Sequence, residues 1–293
     1  MTAAAGGLPS AAIAQAFHAA CLAELTALKP GNVHVHAGGH HMEVAQFRAA
    51  AAAASKCIAE PSLSFGARVE AAVDASMAAA GCNTNLGIIQ LSAPLAAAAL
   101  LDAGGVSLRD RTRQVLAGLT ASDARHVYSA IRRANPGGLG RSEEADVAAP
   151  PAIGLIDAMR IAAPRDRIAA AYANDFGDIF TDHLPLLQRL EAAAGAAPGA
   201  SGDDVTATLY MSMLARFPDS HIRRKLGMET AAHVQTLACA ARPLWHPRVD
   251  QTAYSGLLGL DALLKANGFN PGTTADFTVA TLLASELDRR LGF

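Results

Sequence analysis

The sequence predicts an all-α fold, a multi-helix globular bundle with polar loops at the helix ends. Three observations carry that expectation. Hydrophobic residues fill 51% of the 293 positions while aromatics fill only 5%, so the core must be assembled from alanine and aliphatic side chains. Alanine has the best intrinsic helix propensity, whereas strands draw on β-branched and aromatic residues. Apolar positions also recur at helical spacing along most of the chain. A chain of this length buries a core without staples. Residues 1–293 read as one domain, with EAAAGAAPGASGDD at about 191–204 as a surface linker.

The first helix is expected from Ser10, as its cap, to about Leu28, with Ile13, Phe17, Cys21 and Leu25 on one face and Pro30 and Gly31 beyond its end. NVHVHAGGHHM reads as a loop. The small residues of a second helix, Glu43 to about Ile58, suit the centre of a bundle. Ser64 opens a third helix, along which Val69, Val73 and Met77 recur, and Gly81 closes it. A strongly apolar helix follows from about Leu86 to Leu101, and Pro94 inside it should kink or divide it. Weaker helices are expected near 107–117 and 122–134, then a Gly- and acid-rich loop over 135–151. The remaining helices are expected near 152–160, 164–177, 204–217, 228–241, 249–266 and 274–288.

Charge and sequence patterning exclude several roles. With 24 basic against 26 acidic residues the net charge is −2, so nothing favours a nucleic-acid backbone as partner. A local basic pocket for phosphorylated small molecules remains compatible with that balance. The longest apolar stretches are broken too early for a bilayer span. The N-terminal MTAAAGGLPS lacks the pattern of a secretory signal, and a cytoplasmic location is expected. Cys21, Cys57, Cys82 and Cys239 form no CxxC and read as reduced, mostly buried thiols. Alanine-rich apolar helices are compatible with a homodimer.

Polar segments interrupt the helical pattern at several points. KPGNVHVHAGGHHM offers Lys29 for phosphate oxygens, together with Asn32, His34, His36, His40 and His41. A solvated His-rich turn or a capping network accounts for the same residues. GCNTNLG places Asn83, Thr84 and Asn85 at the start of an apolar helix, where free N–H groups favour an anion. NPGGLGRSEEADV brings Arg141 beside Glu143, Glu144 and Asp146, a combination suited to magnesium on a polyphosphate and equally to a charged surface loop. NDFGDIFTDH supplies Asp175 and Asp178, three apart and on one face if helical. NPGTTADF places Asn270 in a turn and Asp276 in the first turn of the helix after it, where a favourable capping charge is the competing role. DSHIRRKLG adds Arg224 and Lys225, and Trp245 reads as a core or lid contact rather than a base-stacking residue.

Taken together, KPGNV…GGHHM…F, GCNTNLG and NPGTTADF…A resemble, in order and spacing, the motifs of the triphosphoribosyl-dephospho-CoA synthase family. The resemblance covers about residues 20–288. AIRRANPGGLG, EEADV and HIRRKLG are similar to a branch found in archaea and in bacteria with related one-carbon metabolism. It implies an all-helical enzyme that joins the ribosyl C1 of ATP to a hydroxyl of 3′-dephospho-CoA and releases adenine, with magnesium on the triphosphate. The family's Lys-Pro-Gly turn falls on Lys29, Pro30 and Gly31, and its Asn-Thr pair on Asn83 and Thr84. The His-Lys that follows in the family is Asn85 and Leu86 here. The family's Gly-Ala-Arg-Gly-Glu loop is partly matched by Gly140, Arg141 and Glu143 or Glu144, and its C-terminal motif by Pro271 to Asp276.

On this basis Glu144, Asp175 and Asp276 are the expected catalytic acids, and Asp175, Asp178 and Glu143 the expected magnesium ligands. Lys29, Asn32, His36, His40, Asn83, Thr84, Asn85, Arg141, Arg224, Lys225 and Asn270 are expected to hold the nucleotide. A related transferase in methanopterin- or methanofuran-type cofactor synthesis, and a non-catalytic nucleotide-binding protein, are the alternative readings.

Overall fold

Helices account for nearly all the regular structure of the computed structural model, which describes residues 6–37, 42–138, 145–196, 201–250 and 252–293. No strand forms among them, and an isolated bridge pairs His34 with Ala37. No helix is long and apolar enough to cross a membrane among the described residues.

Helix α1 (Ser10–Thr26) buries the expected Ile13, Phe17, Cys21 and Leu25, helped by Ala16 and Ala20. Its cap is Pro9 rather than Ser10. The Ser10 hydroxyl instead donates to the Ala59 carbonyl at 2.7 Å, fastening α1 to the end of α2 (Val44–Ile58). A second correction concerns α2. Its alanines pack closely on α3 (Phe65–Ala80), but Arg48, Ala49, Ala52 and Lys56 are exposed, so it forms an edge of the bundle. Ser64 accepts from the Ala67 amide and Gly81 closes α3 in the left-handed region at φ +73°, as its sequence implies.

The central position belongs to α4 (Leu86–Leu100), buried on nearly every side and packed by α3, α5 (Leu108–Ala117) and the C-terminal helix. Pro94 does not divide it. Proline has no N–H for the carbonyl four residues earlier, and that carbonyl, on Gln90, accepts instead from the Tyr172 hydroxyl at 2.6 Å. The orphaned acceptor thus becomes a tie between α4 and α8 (Arg167–Ala173).

Helices α6 (Ala121–Ala134) and α7 (Leu155–Ala162) follow the expected pattern closely. The helix expected over 164–177 stops early. After α8 the chain turns through Asp175 and Phe176, both at positive φ, into a π-helical stretch, Asp178–His183, that continues as α9 (Leu184–Gly195). Helix α9 therefore enters the stretch read as a linker, and Ser201 caps α10 (Gly202–Arg216) at its far end.

The chain then forms α11 (Ser220–Leu226), α12 (Met228–Ala240), α13 (Arg242–Trp245), α14 (Tyr254–Ala266) and α15 (Gly272–Leu291). Trp245 is buried, its indole N–H donating to the Ala238 carbonyl at 2.9 Å. The four cysteines are unpaired, but only Cys21 is fully buried; Cys57 and Cys82 are half-buried and Cys239 is exposed.

Two apolar clusters result. The larger is built from α1 to α9, and the smaller gathers around α10 to α14. Helices α10 and α15 serve both. Leu209 and Met213 of α10 face the first cluster while Tyr210 and Leu214 face the second, and in α15 Phe277 and Ala275 divide in the same way.

Candidate active site

The polar segments other than NDFGDIFTDH contribute to a cleft of about 950 Å³. Its walls come from the Asn32 turn, the start of α4, the end of α6, α7, the start of α8, α11 and the start of α15. Its lining combines apolar side chains, among them Met42, Phe47, Met77, Ile88, Leu155 and Met159, with basic ones that include Arg165, Arg224 and Lys225. The first turns of α4 and α15 border the cleft, so two helix N-termini add positive potential.

Helix α15 begins two residues earlier than the sequence implies, so Asp276 stands just past its first turn rather than within it, and it is an acid of the cleft lining. Its carboxylate lies against the backbone of α4 at Gly87, where a Cβ would stand 2.0 Å from Oδ2 and 2.9 Å from Ile168 Cδ1. Only glycine leaves room for the acid there. The side chain is recessed but not sealed, and among the described residues it accepts no hydrogen bond and joins no ion pair. Burial pushes its carboxyl well above the ordinary range; the charges of Asp219 and Glu24 push the same way, against the attraction of Arg224. An acid in that condition is suited to carry a proton near neutral pH.

Its neighbour Asp219 has the opposite surroundings. Oδ1 accepts from the His221 and Ile222 amides at 2.8 and 3.1 Å, and Oδ2 accepts from the Thr274 amide and hydroxyl, both at 2.8 Å. The carboxylate thereby fixes the start of α11 to the start of α15. On the rim, Asp166 caps α8 with Oδ1 and meets Arg224 Nη1 at 3.3 Å with Oδ2. Arg224 also donates to the Gly137 carbonyl at 3.2 Å. At Gly138 (φ +75°) a Cβ would approach the Arg224 carbonyl to 2.7 Å, so the NPGG turn rests directly on α11.

The KPGN turn is built into the wall. Lys29, expected at phosphate, is fully buried and donates to Glu24, to Asn32 Oδ1 at 3.0 Å and to the Val33 carbonyl at 2.6 Å. Its ammonium is spent on positioning Glu24 and Asn32, which do line the cleft. Asn32 in turn donates to Asn270 at 2.8 Å, joining the two Pro-Gly motifs. Gly31, at φ +83°, lets that turn approach within a Cβ's reach of Phe269 and Pro271.

Of the residues expected at the site, Asn32, Asn83, Thr84, Arg224, Lys225, Asn270 and Asp276 line this one cleft. Asn85 stands behind it and accepts from the Ser76 hydroxyl. His36 is held away from it, against the Thr26 carbonyl at 3.0 Å and the Tyr254 hydroxyl at 2.7 Å. Asp175 and Asp178 lie outside the cleft and do not share a helix face, because the chain turns between α8 and the π-helical stretch. Asp178 pairs with Arg167 at 2.7 Å, and the half-exposed Asp175 lies 4.0 Å from Arg113. His40, Arg141, Glu143 and Glu144 fall outside the described residues. No group of three or more His, Cys, Asp or Glu suited to a metal ion occurs among the described residues.

Sequence reasoning passed over Gly87, Gln90, Asp166 and Arg165. Two of these left a signal. A glycine inside a helix costs about 1 kcal/mol relative to alanine and so asks for a reason, and Gln90 is a long polar side chain inside LGIIQLSAPLAAAAL.

Comparison with known proteins gives the family. No curated protein matches the chain. A crystal structure of a candidate triphosphoribosyl-dephospho-CoA synthase from Archaeoglobus fulgidus is similar, with a TM-score of 0.61 and 27% sequence identity. That similarity covers 81% of this chain and 96% of the archaeal one. The profile of the ATP:dephospho-CoA triphosphoribosyl transferase family (CitG) matches residues 10–293. The chain belongs to that family, and its reaction is the transfer of the triphosphoribosyl group of ATP to dephospho-CoA.

Proposed function

We propose that this transfer takes place in the cleft between α4, α8, α11 and α15, with Asp276 as the proton carrier. The carrying observation is an unpaired carboxylate of raised proton affinity, set between two helix N-termini and beside a basic wall. In the reaction the bond from the ribosyl C1 to adenine N9 breaks and a bond from C1 to the acceptor hydroxyl oxygen forms. Asp276 takes the hydroxyl proton, and the departing adenine takes it in turn, so the carboxylate is regenerated. While both bonds are stretched, positive charge develops at C1 and the ring oxygen, and the carboxylate stabilises it across a short, poorly solvated gap.

Arg224, Lys225 and the first turns of α4 and α15 hold the triphosphate. Asn32, Asn83 and Asn270 orient the sugar and acceptor hydroxyls. Magnesium is commonly bound through one or two carboxylates plus substrate phosphates, and Asp146 and Asp166, both lining the cleft, fit that role. When bound, the ion neutralises triphosphate charge. Because Asp276 must be ionised to accept a proton, turnover should rise with pH through its raised pKa. The test is to incubate the protein with ATP and dephospho-CoA and follow free adenine and product mass together. Equal amounts of both are expected, and phosphate or pyrophosphate without adenine would overturn the reading.

A further inference from the structure

Gln90 lines the cleft yet is only 7% exposed, and its side-chain amide has no hydrogen-bond partner among the described residues. It lies one helical turn beyond Gly87 on α4, and residues so spaced share a face, so the amide faces the cleft one turn deeper than the Asp276 carboxylate. The same cleft is lined by apolar side chains from three helices: Ile88 from α4, Leu155 and Met159 from α7, and Ile168 from α8. The amide atoms are open to the cleft rather than sealed from it, so a ligand entering the cleft meets them directly. The backbone here is fixed, because the Gln90 carbonyl accepts from Tyr172 at 2.6 Å.

We infer that Gln90 reads the base of the nucleotide donor. The apolar slot takes the faces of a purine, and the amide pairs with its edge, the oxygen accepting from the 6-amino group and the nitrogen donating to the adjacent ring nitrogen. A flat heteroaromatic with one donor and one acceptor on an edge is the ligand class that fits one amide in an apolar slot. This specificity role rests on the placement of the reaction in the cleft.

The test compares ATP with purine riboside 5′-triphosphate, which lacks the 6-amino group, as donors to dephospho-CoA. Direct affinities for both nucleotides are measured by calorimetry. The native enzyme should prefer ATP about tenfold to a hundredfold, the usual worth of a good paired contact to a base. In Gln90→Leu that preference should collapse towards unity, through loss with ATP and little change with the analogue, while the melting temperature holds or rises. Gln90→Glu, close in shape, keeps an acceptor but loses the donor, and should fall between the two. Variants that fold and keep the native preference in both assays would overturn the inference. A native protein that releases no base, yet binds ATP better than the analogue through Gln90, would refute the reaction reading and leave base recognition standing.

Discussion

Asp219 and Asp276 bracket the start of α15, and both are pushed towards the protonated form by burial. They differ in what surrounds the oxygens. Asp219 is 2% exposed and accepts four hydrogen bonds, from two backbone amides of α11 and from the amide and hydroxyl of Thr274. Asp276 accepts none among the described residues and looks into the cleft. Hydrogen bonds to a carboxylate oppose the effect of burial and fix the group in place, whereas their absence leaves the group ready for a proton. The contrast separates an acid that holds the fold from one that does chemistry.

The largest effect expected from breaking this contrast is at Asp276. Asp276→Asn should lower adenine release by about a hundredfold to ten-thousandfold while leaving the circular dichroism spectrum unchanged. The same variant should be more stable than the native protein, with a difference that grows with pH. The folded pKa lies above the unfolded one, so the native state binds the extra proton and native stability declines as pH rises from the ordinary carboxylate range through the raised value. Melting at pH 5 and pH 8 should show the variant gaining about 1 kcal/mol at the alkaline end. A variant that is destabilised throughout would mean that Asp276 has partners of its own.

The next largest effect is the converse. Asp219→Ala leaves four donors without an acceptor and should cost about 3 kcal/mol in urea unfolding. Turnover per folded molecule should fall far less than in Asp276→Asn. Gly87→Ala sharpens the comparison by moving the catalytic acid without removing it. Its new Cβ meets the carboxylate, so kcat should drop and stability should fall by about 1–3 kcal/mol, both read on purified protein. Tyr172→Phe should have the smallest effect, about 1 kcal/mol of stability from the unsatisfied Gln90 carbonyl, with a modest rise in KM for ATP.

Much of the fold was legible because propensity and periodicity act locally. Ser64 and Gly81 delimit α3, and the Ile13–Phe17–Cys21 stripe is the buried face of α1. Helix α9 and the π-helical stretch were not legible, since the turn at Asp175 and Phe176 needs two non-glycine residues at positive φ, which tertiary packing imposes and composition does not announce. Within the site, the sequence pointed to Asn32, Asn83, Arg224 and Asp276 but could not distinguish facing a ligand from facing a neighbour. Lys29 shows why: the same ammonium serves a phosphate or a buried Glu24 equally well, and only the distance to each decides. Gln90 carried its signal in contrast with its surroundings, a polar residue amid apolar ones, rather than in any motif.

Pro94 also alters how the central helix responds to its neighbours. An uninterrupted ladder of backbone bonds would keep the turn bearing Gly87 and Gln90 in shape by itself. With the Gln90 carbonyl given to a phenol on α8, that turn is tied to a second helix as well as to its own backbone. Asp166, which caps α8, also meets Arg224 on the basic wall. The middle of the central helix and the basic side chain Arg224 are therefore both fastened to α8, one near its end and the other at its cap.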